Sequence, residues 1–327
     1  MKMKPFKLLT WVIALGILIG ACVYTFSRSD VSDFVRLAGT INPLWIVVMA
    51  STELGTYVCT SVMYRVMFRA LGVQVALPRL LPLSMEKLAV DQFIPTAGVG
   101  GSALVVHGLR REGIDRQTAV AMVVLGLAAW YLAGDIAGAY GLARIAHQPV
   151  VLASAVPIAG VYAAVSLFIV YFTLRGIRSK GFAKMKRILP GKKLDVFFSE
   201  LVSTHELGLA KKVGFARIVL AQMAIVALDA GTLTLACLAV GSPMNYGVVL
   251  ACYALVNMAA TVSILPGGIG VFEGGLIALL SLFGMEPAAA LAATVLYRGF
   301  SVWLPMVPGV ILARRELARH DQDQNVV

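Results

Sequence analysis

The chain has 327 residues, of which 59% are hydrophobic and only 14% charged, with a mean hydropathy of +0.84. Soluble domains carry about 45–50% apolar and about 25% charged residues, so a water-soluble globular fold is excluded. The formal charge of +11 would suit a polyanion binder, but eleven of the 28 Lys and Arg lie between Arg175 and Arg217, in the longest polar connection, where positive charge marks the cytoplasmic side of a membrane protein. No nucleic-acid partner is expected.

A basic start, Lys2, Lys4 and Lys7, precedes an apolar run over residues 8–26. The layout is that of a signal peptide, but the run has spanning length and is read as a retained first helix. An outside loop with balanced charge follows over 27–42. A second span over 43–68 carries Glu53 and ends near Arg65, Arg69 and Arg79, hence in the cytoplasm.

Residues 84–109 are interrupted at the centre by Pro95, Gly98, Gly100 and Gly101. Each limb has about ten or eleven helical residues, which reach only about 15–17 Å at 1.5 Å per residue. Both flanks are basic, so the segment is expected to be a re-entrant hairpin entered from the cytoplasm. Residues 117–143 cross outward with Asp135 inside and with Gly134 and Gly138 on a small-residue packing face. Residues 149–174 return. The basic connection over 175–216 contains Leu194, Phe197, Phe198, Leu201 and Val202 at helical spacing, the pattern of a surface-lying amphipathic helix.

Residues 217–240 cross outward with Asp229 near the middle. A second broken hairpin has limbs over 246–265 and 269–283 around Pro266, Gly267, Gly268 and Gly270; its longer limbs leave two full spans open as an alternative. The last span, 287–312, carries Arg298 and ends at Arg314, Arg315 and Arg319. Both termini are thus expected in the cytoplasm.

The fold expected is an all-α polytopic membrane protein: about six full spans plus two Pro/Gly-broken re-entrant hairpins, or eight spans, in one integral domain over 1–327. Residues 43–143 and 217–312 repeat one order, an acid-bearing span, a broken hairpin and a charged span. The acid precedes the proline by 42 positions in the first (Glu53 to Pro95) and 37 in the second (Asp229 to Pro266). The charge rule gives the halves opposite orientation, so an inverted-topology repeat is expected, with a transport site near the midplane where the breaks meet.

Three segments carry a family resemblance: Leu265-Pro-Gly-Gly-Ile-Gly-Val-Phe-Glu-Gly-Gly275, Gln92-Phe-Ile-Pro-Thr-Ala-Gly-Val-Gly-Gly101, and Tyr297-Arg298 followed by Leu304-Pro305 and Gly309. In these the chain resembles the flippase-like membrane domain of lysylphosphatidylglycerol synthases and the stand-alone proteins similar to it. The resemblance implies the lipid-translocating half without the lysine-transferring half. It leaves the cargo open among phospholipids, glycolipids and other lipid-linked molecules.

The candidate site comprises Gln92, Pro95, Gly98, Gly100 and Gly101 from the first hairpin, and Pro266, Gly267, Gly268, Gly270 and Glu273 from the second. Asp229 and Arg298 are expected to pair, either to set helix register or to let Arg298 exchange Asp229 for a lipid phosphate. Glu273 is expected to cap a helix start or to titrate and couple transport to protons. Glu53 and Asp135 are candidate cavity charges.

Cys22, Cys59, Cys237 and Cys252 read as packing residues, and the four His are scattered, so neither a metal nor another cofactor is expected. No nucleotide-binding Gly-x-x-x-x-Gly-Lys-Ser/Thr loop occurs, so any energy comes from a gradient or mass action. The reading is a lipid flippase in the plasma (bacterial inner) membrane, not an enzyme, with proton or ion coupling and a homo-oligomeric or biosynthetic partner as open associations. A transporter of a small anionic solute and a non-transporting subunit of a lipid-biosynthesis pathway are the alternatives.

Overall fold

The computed structural model describes residues 41–93, 102–175, 213–263, 265, 268–306, 308–309 and 311. The expected first helix, the tip of the first hairpin with Pro95, Gly98, Gly100 and Gly101, the amphipathic connection, and Pro266 and Gly267 lie outside the described residues. Within them the chain is helical: α1 (Pro43–Ala70), α2 (Leu77–Phe93), α3 (Ser102–Arg111), α4 (Arg116–Arg144), α5 (Pro149–Arg175), α6 (Phe215–Ala239), α7 (Tyr246–Val262), α8 (Val271–Leu282) and α9 (Pro287–Arg298), which continues into a π-helical turn (Gly299–Trp303).

Local chemistry starts these helices where the sequence changes character. Asn42 caps α1, its Oδ1 accepting from the Leu44 N–H at 2.9 Å, with Pro43 in the first turn where its missing N–H costs nothing. Asp115 caps α4 by accepting from the Thr118 N–H at 3.1 Å, and its hydrogen bonds to Thr118 hold its carboxyl below the usual range. Asn245 does the same for α7, accepting from Gly247 at 2.9 Å.

Four helices, α1, α4, α5 and α6, are long and apolar enough to cross a membrane. In the most apolar stretch of α4, 72% of the residues are buried, against 17% for α5, so α4 is the central post and α5 a lipid-facing flank. Three glycines let α4 approach its neighbours closely: Gly134 lies under the Tyr162 ring of α5, Gly138 under Met258 of α7, and Gly141 against Leu255 and the Ala251 carbonyl.

The two hairpins open at opposite ends of that post. Arg79 at the start of α2 meets Glu112 just past α3 at 3.8 Å, and Glu112 lies three residues before the α4 cap. At the other end of α4, Tyr140 packs on Gly247 at the start of α7, and His147 faces Phe283 at the end of α8, ring centroids 6.4 Å apart. Two larger hydrophobic cores result, besides a smaller cluster of α4, α5 and α7 around Tyr131, Tyr162 and Met258. One joins the end of α1 to the first hairpin and the first half of α4, through Phe68, Leu80, Leu109 and Met122. The other joins α6 to the second hairpin and α9, through Leu233, Cys252, Leu276 and Ala290.

Between the cores, α1 and α6 cross antiparallel. Thr52 faces Gly231 and Gly55 faces Leu228, so contacts ascending α1 descend α6. That is the arrangement an inverted repeat requires of its two leading spans.

The limbs differ in part from expectation. α2 begins at Leu77, not Ser84, and runs 17 residues with Pro82 inside it; Pro78 in its first turn is where a helix tolerates proline. In the second hairpin α7 has 17 residues and α8 only 12, about 18 Å at 1.5 Å per residue, so α8 is too short to cross a bilayer. The short α8 supports the re-entrant form of this hairpin over two full spans.

Crowding at the α4 glycines makes a prediction. A Cβ on Gly141 would sit 2.8 Å from Leu255 Cγ and 3.1 Å from the Ala251 carbonyl oxygen, whereas one on Gly160 of α5 meets nothing within 4 Å. Gly141→Leu should therefore cost about 1–3 kcal/mol, read as a lower thermal midpoint in detergent, while Gly160→Leu should leave the midpoint nearly unchanged.

Candidate functional site

The tip of the second hairpin is built from glycine. Gly268 (φ +64°) and Gly270 (φ +87°) adopt the left-handed backbone that other residues resist, and a Cβ on Gly268 would lie 2.5 Å from the Ala260 Cβ of α7. These turns fold the start of α8 back against α7. There the Glu273 Oε2 accepts from the Gly270 N–H at 2.6 Å, capping the helix it belongs to.

Its other oxygen, Oε1, meets Arg298 Nε at 2.6 Å, with both side chains buried. Arg298 ends the regular part of α9. Immediately after it the helix widens into a π turn, closed by the Leu304 N–H bonding to the Gly299 carbonyl. Pro305 accounts for the widening: it has no N–H to offer Ser301, and its ring crowds that carbonyl. The guanidinium also lies over the Phe272 ring, 4.9 Å from its centroid.

Phe272 stacks on Tyr297, centroids 5.9 Å apart with planes at 18°, and Tyr253 meets both rings at 6.2 Å. The Tyr253 hydroxyl donates to Asp229 Oδ2 at 2.7 Å. Beyond Asp229 stands Glu53 of α1, its electrostatic neighbour, beside Thr232. Glu53 is 5% exposed, and its Oε2 has no hydrogen-bond partner among the described residues; the same holds for the buried Tyr57 hydroxyl, one turn along α1. A chain of contacts therefore runs from Glu273 and Arg298, through three aromatic rings, to Asp229 and Glu53.

The expected Asp229–Arg298 pair is not formed. Arg298 takes Glu273 because α8 packs directly on α9, whereas the stacked Phe272 and Tyr297 rings stand between the guanidinium and Asp229, which Tyr253 engages. Gly268, Gly270 and Glu273 join Arg298 in one place, with Asp229 and Glu53 in the same network. Asp135 is elsewhere: it accepts a short hydrogen bond from Ser166 between α4 and α5. Gln92 lies in the last turn of α2, next to the undescribed tip.

The π turn, Tyr57 and the aromatic trio were not anticipated. Tyr57 sits four positions after Glu53, a spacing that puts both on one helix face. Phe272 and Tyr297 flank the two charged residues in the very motifs that carry the resemblance.

A helical chain with several spanning helices, a re-entrant hairpin and buried charges at its tip is an integral, polytopic membrane protein. It belongs to the family of the lysylphosphatidylglycerol synthase transmembrane region, whose profile it matches over residues 11–309. It is similar to a UPF0104 membrane protein of Methanothermobacter thermautotrophicus, 21% identical over 319 residues that cover 91% of this chain and 93% of that relative.

Removing one partner of a buried ion pair strands the other and typically costs about 3–5 kcal/mol. Arg298→Gln alone should therefore destabilise the detergent-solubilised protein far more than the neutral double variant Glu273→Gln/Arg298→Gln. Chemical unfolding of both single variants and the double variant measures the difference, and an additive double variant would show that the pair does not couple.

Proposed function

We propose that the protein moves an amphipathic lipid or lipid-linked molecule with an anionic head group between membrane leaflets, and that Arg298 is the group that meets that head. The observation that carries this reading is the Glu273–Arg298 pair, a guanidinium held at membrane depth at the tip of a re-entrant hairpin. Charges there are expensive and mark substrate pathways. The planar fork of arginine suits phosphate, to which it bonds in bidentate fashion. Glu273 holds the guanidinium in place while no cargo is present, and a phosphate takes over that role when the head group arrives.

Membership in the transmembrane-region family supports a lipid cargo. The work asked of the protein is displacement without covalent chemistry, powered by a gradient or by mass action. A plasma-membrane location with both ends in the cytoplasm is part of this reading, and the basic segments support that orientation.

Reconstitution into vesicles with fluorescent phospholipids and leaflet-selective quenching tests the reading. The wild-type protein should accelerate leaflet exchange. Arg298→Lys, which keeps the charge and loses the fork, should reduce the rate about tenfold, the equivalent of about 1.4 kcal/mol. Glu273→Gln should also slow exchange. No acceleration with any lipid tested would overturn the proposal, and movement of an entrapped anionic solute instead would identify the protein as a solute transporter.

A further inference from the structure

Glu53 and Asp229 occupy equivalent places in the two halves. They are 176 positions apart, as are Thr52 and Leu228, and Gly55 and Gly231, the residues whose mutual contacts form the antiparallel crossing of α1 and α6. The crossing thus brings two copies of one structural position face to face, each bearing a carboxylate. Two like charges in one water-poor place cannot both stay ionised without a counter-charge.

The cation at hand is already engaged. Arg298 lies against Glu273 at 2.6 Å and beneath Phe272, across the aromatic rings from Asp229. The other groups facing the pair carry no positive charge: Thr232 from α6, Tyr57 from α1, Tyr253 from α7 and Tyr297 from α9. On α2, which runs antiparallel to α1 past the Ser61–Ser84 hydrogen bond, Arg79 lies on the far side of that contact while Glu86, Lys87 and Asp91 follow it toward the level of Glu53; of the charged residues described, Asp229 is the one that acts on Glu53.

Two polar atoms are left over in this place: Glu53 Oε2 and the Tyr57 hydroxyl, each on a residue more than nine-tenths buried and without a hydrogen-bond partner among the described residues. Asp229 differs, since it is partly accessible and accepts from Tyr253.

We propose that Glu53 and Asp229 form a two-carboxylate site that binds one proton, carried on Glu53, and that loading and release of this proton drive the movement of lipid at the Arg298 site. Coupling rests on the functional reading above; proton binding by the pair does not. The step is proton transfer alone. One proton from the aqueous side reaches Asp229, the accessible member, and passes to a Glu53 oxygen, taking the pair from two negative charges to one. Glu273 is not the carrier, because a backbone N–H and Arg298 occupy both of its oxygens.

Infrared difference spectroscopy of the full chain in lipid nanodiscs, stepped in pH, reads the proton directly. The wild type should show the carbonyl band of a protonated carboxyl that bleaches as the pH rises. Glu53→Gln should abolish that band, and Asp229→Asn should shift its frequency, because the carboxyl loses its charged neighbour. A wild type without the band, a band that survives Glu53→Gln, or a band that sodium ions abolish overturns the proton site.

In vesicles bearing a pH gradient, the wild-type protein should bias the lipid distribution across the bilayer, and Glu53→Gln should make it independent of the gradient. Wild-type transport indifferent to the gradient overturns the coupling. Lipid movement absent altogether, with the infrared band intact, overturns the functional reading and leaves the proton site standing.

Discussion

One oxygen of the Glu273 carboxylate accepts from the Gly270 N–H and the other meets Arg298, both at 2.6 Å. The hairpin tip depends on this double engagement. A chain that turns back inside a bilayer must satisfy its backbone groups without water, and a carboxylate acting as helix cap does so at the first turn of α8. The same carboxylate makes the buried guanidinium tolerable. Folding the hairpin and placing a charge at membrane depth are thus one interaction, and a substitution at either residue alters both.

Around that tip the architecture is a pair of cores hung at opposite ends of α4. The glycines of α4 bring α5 and α7 close, and each hairpin packs where its own end of the post is free. The antiparallel crossing of α1 and α6 lies between the cores and places Glu53 against Asp229. The buried charges fall into two groups with different chemistry. Glu273 and Arg298 neutralise each other, whereas Glu53 and Asp229 repel. A neutral pair can part to admit an anion, and a repelling pair changes state by taking up a cation, so the two groups suit different tasks within one chain of contacts.

The aromatic trio connects them. Tyr253 donates to Asp229 through its hydroxyl and touches Phe272 and Tyr297 through its ring, while Phe272 carries Arg298 over its face. Such rings offer an apolar body to the protein core, and Tyr253 a hydroxyl to Asp229. They also keep the guanidinium from collapsing onto Asp229, which would cancel the negative charge at the crossing.

Much of this was legible in one dimension. Apolar runs of spanning length and glycine clusters at two breaks follow from local chemistry, because length and backbone freedom depend on a few neighbouring residues. The membrane class, the order of helices and the choice of Glu273 and Arg298 as candidates came from the same source. The start of α2 at Leu77, with Pro82 accommodated inside the helix, was not read from the sequence. Which charge pairs with which was not legible, since Asp229, Glu273 and Arg298 are dozens of positions apart and partner choice turns on α8 packing against α9 with two rings in the way. The meeting of Glu53 with Asp229 likewise belongs to the tertiary structure alone. It arises from the antiparallel crossing of two helices more than 140 residues apart in the chain, where Gly55 meets Leu228 and Gly231 meets Thr52, and no local pattern encodes which faces meet.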